Sequence, residues 1–325
     1  MDRRSALVLG TALLVSSQTQ AQETLPLLAT DSMADSNEVL PLWPTNAPDD
    51  LGAARKLAIT ERSKDPARYH DRAATGISSP DLTIYRPAKP DGSALLLMPG
   101  GGYDHVTTDK EGADVAREFA RSGITSFVLR YRLPPEGWRN SQDAPLQDAQ
   151  RAMRLIRARA ARYSVDPARL GVMGFSAGGH LAATMATRGP DVKAYDAVDE
   201  ADALDCRPNF AGLIYAGVMM GGRNIEPNPT PEQIAARAPL HHVSGAVPPS
   251  FLCQNIDDPQ VPVANLILFF EALRKASVPC ELHLFEKGGH GFGIRGALGT
   301  PTAIWPRLFV AWGASHGFFR TPALN

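Results

Sequence analysis

The chain has 325 residues, of which 44% are hydrophobic and 21% are charged, and its formal net charge is −1 at pH 7. This length suits one large α/β domain, with or without insertions. The near balance of charge gives no reason to expect a nucleic acid or another polyanion as a partner. The three cysteines are too few, and odd in number, for a disulfide framework.

The first 21 residues have the pattern of an export signal. Arg3 and Arg4 form a positive start, an apolar stretch follows at 6–15, and small and polar residues end the segment at 19–21. This apolar stretch of about ten residues is half of the roughly twenty that a membrane-spanning helix needs. No cysteine follows the expected cut, so no lipid anchor is indicated. We therefore expect a periplasmic or extracellular protein, exported by the general or the twin-arginine route and without a membrane anchor.

Residues 22–80 differ in composition from the rest of the chain. They are rich in proline, aspartate and small residues, with Leu42, Trp43 and Pro44 as an isolated apolar group. This composition predicts an arm that packs over the main domain rather than a separate module. We therefore divide the chain into an export signal at 1–21, an arm at 22–80 and a main domain at 81–325.

From residue 81 onward, apolar segments alternate between the periods of strands and of helices. The predicted strands lie near 83–85 and at 95–98, 124–129, 170–173, 210–215, 250–255 and 281–285. The predicted helices cover 112–122, 146–163, 177–187, 261–276 and 302–315. Such alternation predicts an α/β fold with a mostly parallel sheet and helices on both faces. Functional residues in such folds gather at the carboxyl ends of the strands.

The predicted helix at 146–163 is amphipathic and carries four arginines on one face. They are Arg151, Arg154, Arg157 and Arg162, opposite an apolar face that is expected to cover the sheet. We interpret the arginines as a solvated stripe rather than as a nucleic-acid site.

A Gly-x-Ser-x-Gly motif at 174–178 joins the predicted strand at 170–173 to the predicted helix that begins at 177. A serine at such a sharp turn takes a backbone conformation that residues with side chains disfavour. The neighbouring chain passes close to this turn, and the flanking glycines leave room for it because they have no side chains. The turn lifts the hydroxyl clear of the sheet, at the positive end of the helix. This context predicts that Ser176 is a nucleophile.

A second glycine-rich segment, Pro-Gly-Gly-Gly-Tyr at 99–103, follows the predicted strand at 95–98. A plain tight turn needs one glycine, whereas three in a row give a loop whose N–H groups can face a ligand. In acyl transfer such a loop supplies half of an oxyanion hole, and the N–H after the nucleophile supplies the other half. We therefore predict oxyanion donors at Gly101, Gly102 and Ala177.

A serine hydroxyl is a weak nucleophile at neutral pH, so it needs a histidine as base and a carboxylate that orients the histidine. Asp258 follows the predicted strand at 250–255, and His290 follows the one at 281–285. The chain order Ser176, Asp258, His290 is that of α/β-hydrolases and differs from the two well-known serine protease folds. We therefore predict a Ser-His-Asp triad and an acyl-enzyme mechanism.

These segments resemble those of α/β-hydrolases of the esterase and lipase superfamily. The resemblance also includes Tyr-Arg-Leu-Pro at 131–134, Ala-Pro-Leu-Gln-Asp-Ala at 144–149 and the stretch 166–180, and it covers most of the chain after residue 80. It is nearest to secreted bacterial acetyl esterases, including acetyl xylan esterases and enzymes called xylanases. It implies the α/β-hydrolase fold and a serine esterase. One departure is Pro99, where many relatives have histidine, so we expect a hydrogen bond that braces the oxyanion loop to be lost.

Other side chains compete for these roles. Asp257 adjoins Asp258, which we prefer because Asp-x-x-Val-Pro at 258–262 resembles the acid turn of the family. His180 lies one turn into the helix after Ser176, so its ring is expected along the helix flank in a structural role. The pair of histidines at 241–242 has no carboxylate or cysteine nearby at metal-ligand spacing. We predict no metal site and no cofactor.

Loops and aromatic side chains near the predicted site bear on the substrate. Two long connections, 133–144 and 219–239, follow strand ends and are expected to shape the mouth of the site. Tyr103 and Trp138 either stack on a sugar ring as substrate-binding residues or simply pack the loops. The resemblance implies a small-molecule or polysaccharide ester as substrate, with acetyl groups on plant-type polysaccharides or oligosaccharides.

Three other functions compete with an acetylesterase. The main alternative is a general carboxylesterase or a feruloyl esterase. A peptidase of the same fold is less expected because no propeller-sized N-terminal domain is seen. A glycan-binding pseudo-hydrolase is less expected because no triad position is missing.

Overall fold

The structure is a computed structural model that describes residues 38–219 and 230–320. The predicted export signal at 1–21 and residues 22–37 of the predicted arm lie outside the described residues. Residues 220–229 of the predicted connection at 219–239 also lie outside them. In the described parts of the chain, no helix has the length and apolar character needed to cross a membrane.

Two sheets are present in the described residues. In chain order the strands are β1 (Val39–Pro41), β2 (Ala58–Glu61), β3 (Arg72–Thr75), β4 (Asp81–Tyr85), β5 (Ala94–Met98), β6 (Val106–Thr107), β7 (Thr125–Arg130), β8 (Leu170–Phe175), β9 (Ala211–Ile214), β10 (Ser250–Asn255) and β11 (Cys280–Phe285). The larger sheet has the order β1-β4-β7-β5-β8-β9-β10-β11. The smaller sheet is antiparallel and has the order β2-β3-β6.

The larger sheet is mostly parallel, as the alternating pattern predicts. All neighbouring pairs from β7 to β11 in that order are parallel, and only β4 pairs antiparallel with its neighbours β1 and β7. Every residue of β5, β8, β9 and β10 is buried, which is typical of parallel strands covered on both faces. The carboxyl ends of these strands therefore meet at one edge of the sheet.

The helices pack around this sheet. They are α1 (Asp114–Ala120), α2 (Ala144–Ala158), α3 (Ala177–Ala186), α4 (Pro231–Arg237), α5 (Ala264–Lys275) and α6 (Trp305–Ser315). Alternate side chains of a strand point to opposite faces. Leu96 belongs to a core formed with α2, α3 and α5, whereas Phe175 and Phe251 contact Trp305 and Phe309 of α6 on the other face. The predicted α/β-hydrolase architecture is confirmed.

The predicted helices are present but shorter than predicted. The segment predicted as 112–122 opens with a π-helical turn, Asp109–Ala113, before α1. The segment predicted as 146–163 ends as a helix at Ala158 and continues as a separate 3₁₀ turn. Helix α4 and strands β1, β2, β3 and β6 were not predicted, because they are short and lack a clear hydrophobic period.

The described part of the predicted arm contacts the main sheet and α2. Strand β1 pairs with β4. Trp43 is buried, and its Nε1 donates a hydrogen bond to Asp148 Oδ1 at 2.9 Å. Asp148 also pairs with Arg132 at 2.9 Å, and both of these side chains are fully buried. Trp43, Arg132 and Asp148, which we call the arm clasp, thus join the 131–134 and 144–149 motifs to the arm.

The predicted arginine stripe is solvated only at Arg162, whose side chain is 63% exposed, and the prediction is wrong for the other three arginines. Arg151 is buried and donates to Asp199 at 2.7 Å. Arg154 donates to Tyr195 Oη at 2.8 Å, and Arg157 donates to a backbone oxygen of the same segment at 2.6 Å. The segment at 189–209 therefore covers this face. It has no long periodic element that would have signalled this role in the sequence.

Candidate active site

Ser176 lies between the end of β8 and the start of α3. Its φ and ψ are 53° and −118°, a conformation that is strained for a residue with a side chain. Its N–H donates to Ile214 O at 3.1 Å, which ties the turn to the neighbouring strand β9. Gly178 has no room for a side chain, because a Cβ there would lie 2.0 Å from Met98 O. The motif thus forms the sharp strand-to-helix turn that its sequence predicts.

Three predicted side chains meet at this turn. His290 Nε2 lies 2.8 Å from Ser176 Oγ, and His290 Nδ1 lies 2.7 Å from Asp258 Oδ2. The side chain of His290 is only 8% exposed, and that of Asp258 is fully buried. The network assigns the Nδ1 proton to the bond with the carboxylate, which leaves Nε2 to accept from the serine hydroxyl. The arrangement forms one continuous hydrogen-bonded line.

The carboxylate of Asp258 is held by its own turn. Its Oδ1 accepts hydrogen bonds from the N–H groups of Gln260 and Val261 at 2.8 and 2.9 Å. Burial raises the pKa of this group, but the hydrogen bonds from His290 and from the two main-chain N–H groups outweigh burial and hold the pKa below its ordinary value. The environment therefore favours the charged form that orients a histidine.

The competing residues take other positions. Asp257 Oδ1 accepts from the N–H groups of Gly288 and Gly289 at 3.0 and 2.8 Å, so it anchors the loop that carries His290. His180 is buried, and its Nδ1 lies 2.9 Å from Tyr103 Oη. Burial, with positive charge nearby, lowers the pKa of His180 to about 3, so the ring is neutral.

The glycine-rich loop passes directly beside Ser176. A Cβ at Gly100 would lie 2.9 Å from Ser176 Cβ, so this position has no room for a side chain. Gly101 and Gly102 follow with φ of 130° and 65°. Ala177 lies in the first turn of α3, where N–H groups have no partner within the helix. The structure thus brings the loop with Gly101 and Gly102 against the serine, next to Ala177.

Two side chains that sequence analysis missed brace this loop. Glu111 Oε2 accepts from Gly100 N–H at 2.7 Å, and Tyr131 Oη donates to Pro99 O at 2.7 Å. The expected loss of a bracing bond at Pro99 is therefore compensated from other segments. Glu111 directly precedes the predicted helix at 112–122, where a carboxylate usually indicates no more than a favourable charge at a helix start.

Tyr215 connects the loop brace to His290. The residue follows β9, has a positive φ of 39°, and is fully buried. Its hydroxyl donates to Glu111 Oε1 at 2.9 Å and accepts from Gly293 N–H at 3.2 Å. Its ring contacts the His290 ring edge to face, with centroids 4.9 Å apart. In the sequence this residue is only the last position of a predicted strand.

The predicted substrate-binding rings are buried. Tyr103 is 1% exposed and Trp138 is 3% exposed. The hydroxyl of Tyr103 faces His180, while Trp138 Nε1 donates to Leu133 O at 3.1 Å and the Arg55 guanidinium covers the ring at 3.7 Å. Stacking on a sugar needs an open ring face, so the stacking prediction is wrong for this arrangement. The rings pack the loops instead.

Within 38–219 and 230–320, no group of three or more His, Cys, Asp or Glu side chains is placed to hold a metal ion. His242 Nε2 lies 2.9 Å from Ala236 O. The cysteines at 206, 253 and 280 are free thiols.

Known proteins are similar to this chain in sequence and in fold. The BD-FAE family matches residues 82–209. An acetylxylan esterase of Xylanibacter ruminicola is 31% identical over 226 residues, which cover 66% of this chain and 44% of that protein. Endo-1,4-beta-xylanase B of Butyrivibrio fibrisolvens is 34% identical over 208 residues, which cover 62% of this chain and 32% of that protein. The chain thus spans less than half the length of either relative.

A solved structure matches over nearly its whole length. The acetyl ester-xyloside bifunctional hydrolase from Caldicellulosiruptor lactoaceticus has a TM-score of 0.69 and 32% identity, covering 87% of this chain and 97% of that chain. Fold and site together define an α/β-hydrolase. The chain belongs to the esterase and lipase superfamily of α/β-hydrolases, and it resembles the acetyl xylan esterases among them.

Proposed function

We propose that the protein is an exported serine esterase that removes acetyl groups from plant-type polysaccharides or their oligosaccharides. The observation that carries the proposal is the line of contacts from Ser176 Oγ through His290 to Asp258, at 2.8 and 2.7 Å. The relatives named as acetylxylan esterase and acetyl ester-xyloside hydrolase support acetylated xylan as the substrate class.

The proposed reaction proceeds through an acyl-enzyme. His290 Nε2 takes the hydroxyl proton as Ser176 Oγ attacks the ester carbonyl, and Asp258 stabilises the imidazolium that forms. His290 then gives the proton to the leaving alkoxide, which departs as the alcohol. Water then attacks the acetyl-enzyme with His290 again as base. The bond to Ser176 Oγ breaks, His290 returns its proton to Oγ, and the acetyl group leaves as acetic acid, which ionises to acetate. The order of contacts in the site matches this order of proton transfers.

The oxyanion of each tetrahedral intermediate is proposed to accept hydrogen bonds from Gly101, Gly102 and Ala177. Support comes from the position of the loop, which passes against Ser176 at Gly100. Main-chain donors fixed in this way need no reorganisation during the reaction, and each is typically worth about 3 kcal/mol of barrier.

Export is proposed from the charge and apolar pattern at 1–21. A polysaccharide substrate fits this location, because such polymers lie outside the cytoplasm. The size of the mature chain after secretion, measured by intact mass, would test the expected cut after Ala21. A secreted protein that still carries residues 1–21 would contradict it.

The activity is tested with wild type and Ser176→Ala on two substrate sets. One set is acetylated xylan and acetylated xylo-oligosaccharides, with acetate release measured. The other is a series of p-nitrophenyl esters from acetate to octanoate. Ser122→Ala is a matched control, because Ser122 is exposed and precedes β7 at the opposite edge of the sheet.

We expect wild type and Ser122→Ala to release acetate from the oligosaccharides and to prefer the shortest ester, and Ser176→Ala to be inactive on both sets. Preference for longer acyl chains without acetate release would favour a general carboxylesterase. Release of ferulate instead would favour a feruloyl esterase. Activity that persists in Ser176→Ala would contradict the serine mechanism.

A further inference from the structure

Glu111 is a buried carboxylate in the π-helical turn Asp109–Ala113, and it is 4% exposed. A buried carboxylate costs free energy unless its oxygens accept hydrogen bonds. Both oxygens of Glu111 have a donor, Gly100 N–H on Oε2 and Tyr215 Oη on Oε1. Short π-helical turns are frequent at functional sites, where they place a side chain that a regular helix would direct elsewhere. The partners of Glu111 show what this turn places it against.

The first partner belongs to the oxyanion loop. Gly100 directly precedes Gly101 and lies so close to Ser176 that a Cβ on it would come within 2.9 Å of Ser176 Cβ. The same Cβ would lie 2.8 Å from Glu111 Oε2. Glu111 therefore holds the main chain at the point where the loop passes the serine. The directions of the N–H groups of Gly101 and Gly102, which follow in the loop, depend on the position of Gly100.

The second partner belongs to the histidine side of the site. Tyr215 packs its ring on His290 at a centroid distance of 4.9 Å, and its hydroxyl holds Gly293 N–H at 3.2 Å, three residues after His290. The Glu111 carboxylate thus connects the loop beside Ser176 with the ring and the loop beside His290. One side chain spans the two halves of the site.

We propose that Glu111 is a positioning residue for the esterase reaction, which fixes the oxyanion loop and the imidazole of His290 relative to each other. The inference rests on the proposed function. The proposed role of Glu111 needs two acceptor oxygens, because Gly100 N–H and Tyr215 O–H both donate to this side chain. A glutamine of the same shape offers one acceptor and one NH₂ donor, so either Gly100 N–H or the Tyr215 O–H loses its acceptor.

The test compares Glu111→Gln with a matched variant, Asp109→Asn. Asp109 lies in the same π-helical turn and is also buried, but its carboxylate accepts hydrogen bonds from Arg72 of β3, which belongs to neither loop of the site. Initial rates with p-nitrophenyl acetate give kcat and KM, and the burst of p-nitrophenol gives the number of competent sites. Thermal unfolding reports stability separately.

We expect Glu111→Gln to lower kcat per titrated site by about tenfold or more, with KM within about twofold, because small displacements of catalytic groups act on the transition state. Asp109→Asn is expected to lower the unfolding temperature and to keep kcat per site within about twofold of wild type. Tyr215→Phe keeps the ring on His290 but loses both hydroxyl contacts, so its kcat is expected to fall less than that of Glu111→Gln.

Several outcomes would overturn the inference. A kcat of Glu111→Gln equal to that of wild type would do so, and so would an equal loss in Asp109→Asn, which would indicate general loosening of the turn. If Glu111→Gln does not fold, Tyr215→Phe decides, and an unchanged kcat there overturns the inference. Wild type and Ser176→Ala are run in the same assay. An inactive wild type or an active Ser176→Ala means that the proposed function, rather than this inference, has failed.

Discussion

The arm clasp and the active site each contain a buried carboxylate, and they use it differently. Asp148 accepts hydrogen bonds from Trp43 and Arg132, and the other donors of Arg132 are bound to backbone and side-chain oxygens nearby. Asp258 accepts from two main-chain N–H groups and from His290, whose second nitrogen faces a hydroxyl at the edge of the sheet.

The difference lies in the last partner of each network. Every partner of Asp148 is fixed by the fold, so the network can only stabilise the protein. The network of Asp258 ends at Ser176, which is partly exposed and can react. Both carboxylates are buried and hydrogen-bonded, so these properties do not determine their roles. The role depends on whether the last group of the network is free to react. Variants at the two aspartates separate these roles.

The largest effect is expected for Asp258→Asn. The amide places a donor against His290 Nδ1–H, which favours the wrong tautomer of the imidazole, so kcat is expected to fall by about 10³- to 10⁴-fold. Because hydrogen bonding lowers the pKa of Asp258 in the folded state, its carboxylate contributes stability above about pH 4 that is lost as the pH falls through the folded-state pKa. Kinetics at pH 7 and thermal unfolding measure both effects. A kcat within tenfold of wild type would contradict the proposed role.

The opposite profile is expected for Asp148→Asn. The change leaves the fully buried Arg132 without a counter-charge, which typically costs about 3–5 kcal/mol of unfolding free energy. Denaturant titration measures the loss, and kcat per titrated site is expected to stay within about twofold. Asp196→Asn is the control, because that side chain is 93% exposed and its ion pair with Lys193 lies in solvent. Equal unfolding free energies of the Asp148 and Asp196 variants would contradict the structural role assigned to Asp148.

A smaller, pH-dependent effect is expected at Asp114. Burial raises its pKa to about 6, and the charges of Asp109 and Asp71 add to the rise while Arg295 opposes it. A raised folded-state pKa contributes stability that is full below about pH 4 and is lost as the pH rises through about 6. The unfolding free energy of wild type is therefore expected to fall between pH 4.5 and pH 7.5. In Asp114→Asn this fall is expected to be smaller by roughly 2 kcal/mol. Unfolding curves across this range check it, and an unchanged slope would contradict it.

The sequence allowed the sheet and the three converging side chains to be predicted for physical reasons. The strand before Ser176 is an apolar run, the strand before Asp258 begins as one, and the strand before His290 alternates apolar and polar residues, so each could be recognised from its own pattern. Their carboxyl ends meet at one edge in any such sheet. The structure brings these three side chains within hydrogen-bond distance.

Other parts of the site could not be predicted, because they depend on contacts between distant segments. Glu111 and Tyr215 are 104 positions apart and meet only in the folded chain. Tyr103 and Trp138 are aromatic residues in loops. Nothing in their local sequence indicates that Tyr103 contacts His180 or that Arg55 covers Trp138. The arginines of α2 are covered by a segment without a hydrophobic period, so an exposed face was the natural prediction.

Covalent labelling tests the central claim most directly, that His290 activates Ser176 and no other serine. The protein is incubated with diethyl p-nitrophenyl phosphate, and the modified residue is located by intact mass and peptide mapping. We expect one diethylphosphoryl group per chain, on Ser176, and no labelling of Ser176→Ala or His290→Ala on the same timescale. A label on another residue, or labelling of Ser176→Ala at the rate of wild type, would contradict the claim.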